Sequence, residues 1–579
     1  MKGKITSSEA TMSLKKISEL NKVPQARDSH ADKTNSRLSR NFREKVTMRG
    51  ANCTAVSYKV YYPRIKKCAD GTYIMFNQDS RVSACVYYAK SYDGLHYSNR
   101  QPLFNAKLTV RDDGEEDKLC YASCDAIVLK SGKILAFASY RYNKGYVLDA
   151  KYSGLLVRES VDNGSTWSPE RLIYLGRNWE PHAIQLESGE VQVCFSHTAP
   201  KFYLDPTVRT ASKIRTSSGS AIIRSFDEGA SWTPSVMGAP YAAHRVTQNY
   251  VETMENGTKI FTNQMPVQLA LNNGDIALAT ESDMAVGRFM LTMSYSSDNW
   301  ARPLDIDEDG PSDKQAAFAY GAGPYLAQFE SGETVLSYNT LDMYHIRMGD
   351  GRARNFTEDR MFVAFDEKHG YWGSTLCDGT HSILVAMPNV RETKDERGRI
   401  FGCDNDMMIE RYYLNHDIRA EKYDGGKAWD KCGDALFAGG KCRAQISVRA
   451  AYDDDALYIR VDRVDDLLEH RDSEKLFIST DAGFITCDYS LEGDVYATFN
   501  AKTVKDIEVS TKLYGELDGY AFSDNGAVTE IKIPRKYVGD CDSVGIYAKL
   551  KDYNGDNCIT DGFPGVDEND KDSYYTVSL

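Results

Sequence analysis

Two glutamates stand where a carboxyl group could carry out acid–base chemistry. Glu180 lies in the segment NWEPH (178–182), just before an apolar strand, and Glu281 closes the apolar run IALAT (276–280). A carboxylate at the end of a buried strand needs a partner or takes a shifted pKa. Glycoside cleavage uses two convergent carboxyl groups, because one protonates the leaving oxygen while the other attacks the anomeric carbon or activates water. A buried ion pair is the competing structural explanation for each glutamate.

Both glutamates belong to a unit that recurs along the chain, in which two apolar strands flank a turn that contains glycine. Asp, Ser or Asn precedes the glycine, as is typical of β-hairpins. The units are YYPRIKKCADGTYIMFNQ (61–78), CDAIVLKSGKILAFASY (124–140), EPHAIQLESGEVQVCFS (180–196), MPVQLALNNGDIALATE (265–281), GPYLAQFESGETVLSYN (323–339) and STLCDGTHSILVAMPN (374–389). The turn glycines of the first five units are Gly71, Gly132, Gly189, Gly274 and Gly332, at intervals of 61, 57, 85 and 58 residues. Antiparallel repeats of this length predict a β-propeller with one large insertion.

A second motif recurs between these units. SVDNGSTW (160–167) and SFDEGASW (225–232) share the pattern S-x-D-x-G, and SYDG (91–94) and SDNW (297–300) are weaker copies. In such a turn the Asp accepts backbone N–H bonds, the Gly takes a positive φ and the Trp packs under the hairpin. This motif is the Asp-box, and through it residues 46–412 resemble the sialidase superfamily of six-bladed β-propellers.

Three short segments resemble family 93 glycoside hydrolases within that superfamily. They are WEP (179–181), MPV (265–267) with the glutamate that follows, and GPY (323–325). That family contains exo-acting, retaining enzymes that degrade α-L-arabinan, so the resemblance implies that Glu180 and Glu281 are the catalytic carboxylates. Retention requires the two carboxyl groups to lie about 5–5.5 Å apart. The sequence leaves open which glutamate is the nucleophile.

An exo-α-sialidase is the enzymatic alternative. Sialidases hold the substrate carboxylate with three arginines and use a Tyr activated by a Glu as nucleophile. Arg64, in the segment YPRI (62–65), resembles the first of those arginines, and Asp79 follows the paired strand. Arg141 and Arg288 are the other candidates for such a triad. The Asn-Glu pair that opens the fourth unit of sialidases is replaced here by NQMP (263–266), which counts against this alternative.

Further residues are candidates for substrate binding because they occupy comparable inward positions. Trp179 and Tyr325 offer aromatic faces on which a sugar could stack, although core packing explains them equally well. Asp125 and His182 open strand pairs, where buried hydrogen-bonded roles compete with ligand binding. The chain has no zinc helix, P-loop or dinucleotide fingerprint, so neither a cofactor nor a metal is expected. A carbohydrate-binding propeller without activity is the non-enzymatic alternative.

The pattern changes after residue 412. The segments ISVRAAYDDDALYIRVDRVDD (446–466), EIKIPRKYV (530–538) and SVGIYAKLKDYNGDN (543–557) read as short strands joined by acidic turns. They resemble family 9-like carbohydrate-binding modules, which implies a β-sandwich that binds sugar. Asp552, Asn554 and Asp556 offer oxygens to Ca²⁺, but the spacing is not that of an EF-hand. A solvated acidic loop is the favoured interpretation.

Composition limits the remaining possibilities. The 579 residues carry a formal charge of −13, which argues against nucleic acid or an anionic membrane as a partner. Thirteen cysteines without a Cys-x-x-Cys pair suggest buried reduced thiols, and no secretory signal is recognisable, so a cytoplasmic protein is expected, or a secreted one if a signal was removed. The sequence therefore predicts an all-β monomer that acts on oligo- or polysaccharides. Its expected parts are a flexible arm (1–45), a six-bladed β-propeller (46–412) and a C-terminal β-sandwich (413–579).

Overall fold

Nearly all regular structure in the protein is β-strand, as the sequence predicts. The computed structural model describes residues 36–48, 60–79, 84–98, 100–198, 218–237, 239–247, 250–253, 259–261, 263–285, 288–301, 316–340, 343–358, 361–368, 371–394, 396, 400–519 and 524–579. The α-helices in these residues are the four-residue α1 (Ala428–Lys431) and α2 (Arg535–Val538). None of the described helices has the length and apolar character needed to cross a membrane. The eleven described cysteines are all free, and seven of them are buried.

The described residues form two compact units. The first contains residues 46–376 and 384–409, and the second contains residues 36–45, 377–383 and 410–579. Strand β1 (Arg37–Met48) comes first in the chain. Five sheets follow in the first unit. The first sheet contains β2 (Tyr61–Lys67), β3 (Tyr73–Gln78), β4 (Val86–Ser91) and β5 (Gln101–Phe104). The second sheet contains β6 (Lys107–Val110), β7 (Glu116–Val128), β8 (Ile134–Tyr142), β9 (Ser153–Ser160) and β10 (Arg171–Leu175). The third sheet contains β11 (Asn178–Gln185), β12 (Val191–Thr198), β13 (Ser218–Ser225) and β14 (His244–Thr247). The fourth sheet contains β17 (Gln264–Ala270), β18 (Ile276–Ala285), β19 (Arg288–Ser296) and β20 (Ala316–Tyr320). The fifth sheet contains β21 (Ala322–Gln328), β22 (Thr334–Asn339), β23 (Met343–Gly349) and β24 (Met361–Lys368). A separate hairpin of β15 (Tyr250–Thr253) and β16 (Lys259–Phe261) lies in the insertion between the third and fourth sheets.

The sixth sheet joins the two ends of the propeller sequence. Its strands are ordered β1-β27-β26-β25, with β25 (Ser374–Cys377), β26 (Ser382–Lys394) and β27 (Ile400–Asn415). The N-terminal strand therefore completes a sheet whose other strands follow the first five, which gives the closed six-bladed propeller that the repeats predict. In the five complete repeats, the predicted turn glycines all have positive φ, between 83° and 112°.

The prediction of a flexible arm over residues 1–45 is wrong from residue 37 onward, where β1 begins. Residues 1–35 lie outside the described residues. The strand is rich in charge, but Leu38 is buried and Arg40 Nε lies 3.0 Å from the buried carboxylate of Glu410. Glu44 likewise pairs with Arg411. In the sequence, an edge strand whose charged side chains are paired looks the same as a solvent-exposed segment. The residue pattern alone therefore did not predict this strand.

Apolar cores lie between neighbouring blades. The indole of Trp167, at the end of the first S-x-D-x-G turn, packs edge-on against Phe76 and Tyr88 of the preceding blade, with ring centroids 5.8 and 5.6 Å away. Asp162 in that turn accepts the backbone N–H groups of residues 165 and 166, at 3.0 and 2.9 Å. Gly164 has a φ of 77°, and a Cβ there would come within 2.5 Å of Ile74. The turns therefore lock each blade against its neighbour, as their sequence predicts.

The second unit is a β-sandwich with one core between two sheets. One sheet has the order β28-β41-β39-β33-β34-β35-β36 with β40 beside β39, and the other has the order β29-β31-β32-β38-β37 with β30 beside β31. Their strands are β28 (Ile418–Arg419), β29 (Glu421–Lys422), β30 (Leu436–Ala438), β31 (Gln445–Tyr452), β32 (Ala456–Val464), β33 (Ser473–Thr480), β34 (Gly483–Ser490), β35 (Val495–Phe499), β36 (Lys502–Val504), β37 (Glu508–Tyr514), β38 (Gly526–Pro534), β39 (Ser543–Asn554), β40 (Asn557–Gly562) and β41 (Tyr575–Ser578). Alternating apolar side chains of both sheets, such as Val448, Ile459, Leu476 and Ile546, fill the space between them.

The interpretation of Asp552 as part of a solvated loop is wrong, although Asn554 and Asp556 are exposed as expected. Asp552 is buried and accepts the backbone N–H groups of Arg443 and Ala444, at 2.9 and 3.2 Å. It also lies 3.4 Å from the guanidinium of Arg463. That guanidinium is surrounded by three further buried carboxylates, those of Asp465, Asp472 and Glu474. A carboxylate that satisfies a buried arginine and two backbone amides is part of the core.

Candidate active site

One residue in or just before the inner strand of each blade has a left-handed backbone. The six residues are Tyr62, Ser123, Glu180, Met265, Gly323 and Trp372, with φ between 47° and 59°. In the first five blades the pairing of inner and second strands shifts at this place, as in a β-bulge. Only one of the six is glycine, and a left-handed residue with a side chain costs about 1–2 kcal/mol. Tertiary contacts must therefore hold this ring of bulges in place.

The bulges turn a second ring of side chains toward one cavity. Because strand side chains alternate, residues two positions after each bulge occupy equivalent places. In the first, second, third and fifth blades these are Arg64, Asp125, His182 and Tyr325. All four line one small cavity that Glu180 also lines. The structure thus brings together five of the predicted site residues.

An ion pair crosses the floor of this cavity. The ammonium group of Lys66 lies 2.9 Å from Asp125 Oδ1 and donates to the hydroxyl of Tyr325 at 2.8 Å. The hydroxyl of Tyr325 in turn lies 3.4 Å from Asp125 Oδ2. Burial alone would raise the pKa of Asp125, but the charge of Lys66 is the main effect that outweighs it, so the pKa lies below its usual value and the carboxyl stays ionised. The same pairing holds the pKa of Lys66 above its usual value despite burial.

His182 is a neutral member of this floor. Its Nδ1 accepts the backbone N–H of Gln268 at 3.3 Å, so Nε2 carries the proton and faces Asp125 Oδ2 at 3.7 Å. Burial lowers the pKa of His182 to about 3, even though Asp125 opposes that shift. The ring also meets Tyr325 edge to face at 5.3 Å. Side chains from blades one, two, three and five therefore close the bottom of the cavity with satisfied polar contacts.

Glu180 is the candidate carboxylate at the bulge of the third blade. Its Oε2 accepts the hydroxyl of Ser196 at 2.6 Å and lies 3.4 Å from the backbone N of Met265 in the next blade. Burial raises the pKa of Glu180, whereas these two donors and the charge of Arg64 lower it. Burial is the largest of these effects, so the pKa of Glu180 lies above its usual value.

Glu281 stands at the end of the second strand of the fourth blade and has a different environment. The side chain is 6% exposed, and its Oε2 accepts the backbone N–H of Gly323 in the fifth blade at 2.8 Å. Burial, and next the charge of Glu180, raise the pKa of Glu281 from 4.5 to about 8. No cation pairs with it among the described residues, so the group is protonated at neutral pH.

The position of Glu281 is repeated in other blades, where neutral side chains fill it. At the end of the second strand, a polar side chain accepts the N–H of the left-handed residue of the following blade. The pairs are Gln78 with Ser123 at 2.6 Å, Ser196 with Met265 at 3.0 Å, Glu281 with Gly323 at 2.8 Å and Asn339 with Trp372 at 3.3 Å. A neutral oxygen is therefore sufficient to join two blades, and the acidity of Glu281 is not needed for that contact.

Glu180 and Glu281 interact with some of the same neighbouring residues. Glu281 is paired directly with Gln264, and the next residue, Met265, supplies the N–H that lies near Glu180. Both carboxylates also raise the pKa of the buried phenol of Tyr62, although burial is the larger cause. The predicted convergence of Glu180 and Glu281 is thus reflected in shared neighbours from blades one and four.

Arg64 differs from the role that its sequence suggested. One guanidinium nitrogen donates to the carbonyl oxygens of Pro63, Trp372 and Gly373, at 2.9, 2.9 and 3.1 Å. The guanidinium also lies over the ring of Tyr325 at 5.1 Å. Arg64 thus ties the first blade to the sixth while lining the cavity. Within the described residues, it is the one arginine that lines this cavity, so no arginine triad is found there.

Arg141 and Trp179 lie together in a second small cavity. The guanidinium of Arg141 covers the indole of Trp179 at 4.5 Å and lies 4.8 Å from the ring of Tyr146. Arg177, which the sequence did not single out, lies 5.2 Å from the same tyrosine ring. One face of the predicted sugar platform is therefore occupied by a cation.

Asp79 does not join the cavity. Its Oδ1 accepts the backbone N–H of Cys85 at 2.9 Å, and its Oδ2 accepts the hydroxyl of Tyr87 at 3.3 Å. Both oxygens are used within the first blade, where they hold the residue against the next strand. The side chain of Arg288 lies outside the described residues.

Three residues of the site were not predicted from the sequence. Lys66 follows Arg64 by two positions and so shares its face of the strand, a signal that strand alternation contains. Ser196 occupies the strand-end position that Glu281 occupies one blade later, which alignment of the repeats would reveal. Gly323 contributes only its backbone N–H, which no residue pattern indicates.

Comparison with known proteins yields structural likeness at low identity. No family model matches the chain, and no curated protein matches it. The α-L-arabinofuranosidase of Fusarium graminearum from family GH93, solved with arabinobiose, is 13% identical, with 63% of this chain and 96% of that chain covered and a TM-score of 0.42. Trypanosoma rangeli sialidase with sialic acid is 11% identical, with 91% and 95% covered and a TM-score of 0.37. A family 9 carbohydrate-binding module from Caldicellulosiruptor kristjanssonii with cellotriose is 13% identical, with 28% and 92% covered and a TM-score of 0.23. Such values do not identify an activity.

Proposed function

We propose that this protein is a retaining glycoside hydrolase in which Glu180 is the nucleophile and Glu281 the acid and base. The observation that supports this most is the acid at position 281, where equivalent positions of other blades use neutral side chains for the same contact. Burial raises the pKa of Glu180 too, but Ser196, Met265 and Arg64 counteract that rise, whereas Glu281 has only the N–H of Gly323. Two nearby carboxyl groups whose environments separate their pKa values have the properties of an acid and a nucleophile.

The proposed reaction has two steps. Glu281 gives its proton to the glycosidic oxygen as the bond to the anomeric carbon breaks, and the carboxylate of Glu180 attacks that carbon to form a glycosyl ester. Glu281, now ionised, then takes a proton from water. The resulting hydroxide attacks the anomeric carbon, the ester bond breaks, and both groups return to their first state.

The cavity floor supports action at chain ends. Lys66 contacts Asp125 and Tyr325, and the hydroxyl of Tyr325 lies 3.4 Å from Asp125, so side chains of three blades meet beside the cavity. We infer that a terminal sugar binds against these residues. The preferred substrate is α-L-arabinan or an arabino-oligosaccharide, on the basis of the WEP, MPV and GPY segments.

The sialidase alternative has less support. A tyrosine nucleophile must lose its proton, but burial, and next the charges of Glu180 and Glu281, hold the pKa of Tyr62 well above the usual value. Tyr325 is likewise buried, and its pKa is also raised. Carbohydrate binding by the β-sandwich stays a prediction.

The test compares Glu180→Gln and Glu281→Gln on two classes of substrate. On linear arabinan, both variants are expected to lose at least about 100-fold in kcat/KM. On an aryl α-L-arabinofuranoside with a good leaving group, Glu281→Gln should lose far less than Glu180→Gln in bond cleavage, because little protonation is required. Nuclear magnetic resonance of the first product should show retained configuration.

Other results would redirect the proposal. Hydrolysis of a sialoside alone would favour the sialidase alternative. Absence of hydrolysis of every substrate, together with sugar binding that both variants retain, would favour a non-catalytic propeller. Equal activity of wild type and Glu281→Gln on arabinan would refute the role of Glu281.

A further inference from the structure

Two histidines and an aspartate lie close together in the second unit. They are distant in the sequence from Glu180 and Glu281. His381 lies in the turn between β25 and β26, His416 directly follows β27, and Asp434 precedes β30. One donor atom from each residue lies within 4.8 Å of the other two. The ring centroids of the histidines are 5.4 Å apart, and His381 Nε2 lies 3.5 Å from Asp434 Oδ1. His416 is 2% exposed, and the side chains of the other two are 11% and 30% exposed.

Backbone contacts hold the three segments in this arrangement. The N–H of Leu414 donates to the carbonyl of His381 at 2.7 Å, which fixes the turn beside the end of β27. Asp434 Oδ2 accepts the backbone N–H of Arg419 at 3.3 Å, and this contact leaves Oδ1 toward His381. The donor atoms are thus positioned by the fold and not by their own mutual contact alone.

The hydrogen bonding of His381 suits a metal ligand. Its Nε2 lies 2.8 Å from the carbonyl oxygen of Gly433, and a carbonyl only accepts, so Nε2 carries the proton. The same N–H faces Asp434 Oδ1 at 3.5 Å, so in the neutral ring the lone pair is on Nδ1, and Nδ1 is the nitrogen that can bind a metal ion. That atom is buried and makes no hydrogen bond with the described residues. A histidine that donates one ring N–H to a backbone carbonyl and leaves the other nitrogen open is the usual arrangement around protein metal sites.

We propose that His381, His416 and Asp434 bind one Zn²⁺ ion, with water as the fourth ligand. Two imidazoles and one carboxylate are a donor set that Zn²⁺ accepts in tetrahedral geometry. The nearby thiol of Cys432 does not belong to the set, because it is directed to the carbonyl oxygens of Asp434 and Ala450. Zinc at this place joins the 378–381 turn, the end of β27 and the segment before β30. The sequence could not reveal the site, since its ligands are 35 and 18 residues apart.

The test uses the full-length protein without a polyhistidine tag, stripped of metal by a chelator and titrated with Zn²⁺. One tight equivalent per chain is expected, together with an increase in the melting temperature. His381→Ala and His416→Ala should each weaken binding at least 100-fold. The matched control is His470→Ala, since His470 forms a similar pair with Asp518 at 2.9 Å but has no third ligand beside it among the described residues. This control should bind Zn²⁺ as the wild type does.

A second measurement covers variants that fold poorly. Co²⁺ added to the stripped wild-type protein should give the visible absorption of a four-coordinate site, and one equivalent of Zn²⁺ should remove it. Zinc binding by the wild type that is no tighter than binding by a folded His381→Ala variant, or no such Co²⁺ absorption, overturns the proposal and leaves a histidine–aspartate hydrogen-bond network. Neither readout depends on glycosidase activity.

Discussion

Replacing Glu281 with glutamine should make the protein more stable at alkaline pH while it removes the proposed activity on arabinan. The side chain is buried, and the oxygen that accepts the N–H of Gly323 has an equivalent in the glutamine amide. Gln78 and Asn339 make this contact with amide oxygens in other blades. The substitution therefore keeps the contact between blades and removes only the charge that appears on ionisation.

The magnitude follows from the pKa of Glu281, which is raised from 4.5 to about 8. Between these values the folded protein binds a proton that the unfolded chain has released, so wild-type stability falls as pH rises through this interval. Each pKa unit corresponds to about 1.4 kcal/mol, which gives a loss of about 3–5 kcal/mol by pH 9. Glutamine has no such loss. Below pH 4.5 the acid is neutral in both states, and the variant should match the wild type.

The assay is denaturant unfolding of wild type and Glu281→Gln at intervals from pH 5 to pH 9. The difference in unfolding free energy should grow with pH in favour of the variant. Glu190→Gln is the contrasting control, because Glu190 Oε1 lies 2.7 Å from the buried guanidinium of Arg224. Its loss leaves a buried cation and should destabilise by about 3–5 kcal/mol. Parallel pH profiles for wild type and Glu281→Gln would refute the assignment of Glu281 as a buried neutral acid.

Three further substitutions test the surroundings of the site. Ser196→Ala removes the O–H that donates to Glu180, so the pKa of Glu180 should rise and the acid limb of the kcat/KM profile should move up by about one pH unit. Lys66→Met leaves the carboxylate of Asp125 buried without its cation and should lower unfolding stability by about 3–5 kcal/mol; adding Asp125→Asn should restore part of this loss. Gly323→Ala places a Cβ at a φ of +59° and 2.6 Å from a neighbouring amide oxygen, so it should cost about 1–2 kcal/mol in unfolding and lower kcat as its N–H shifts. An unchanged pH profile of Ser196→Ala would contradict the first expectation. An unchanged denaturation midpoint of Lys66→Met would contradict the second, and an unchanged kcat of Gly323→Ala would contradict the third.

Local chemistry was enough to predict most of the fold. The Asp-Gly, Ser-Gly and Asn-Gly turns specify hairpins without reference to the rest of the chain, and those of the first five repeats formed where expected. Strand β1 was missed because its charged residues are satisfied only by partners such as Glu410, hundreds of residues later in the chain. The buried state of Asp552 was missed for the same reason, since Arg463 lies on another strand.

The candidate site was predicted less completely. The positions of Glu180 and Glu281 next to apolar strands indicate carboxyl groups with shifted pKa values, and both values are raised in the structure. Asp79 is a candidate only through the resemblance of the first unit to sialidases, and its oxygens are used within its own blade. The bulge that carries Glu180 has positive φ at a residue that is not glycine, and propensity does not predict such bulges.

The residues at equivalent positions of other blades can be compared with Glu281, because they make the same contact between blades. If the contact between blades were the whole role of this position, a side chain such as Gln78, Ser196 or Asn339 would serve without any cost of ionisation. A glutamate adds no ion pair among the described residues and loses stability as the pH rises above its unfolded value. The backbone N–H of Gly323 donates to one oxygen of Glu281, and it could donate equally to an amide oxygen. The feature that distinguishes this blade is therefore a buried acid whose pKa is raised to about 8 by burial and by the charge of Glu180. Under the proposed function, the proton of this acid is the one that passes to the glycosidic oxygen.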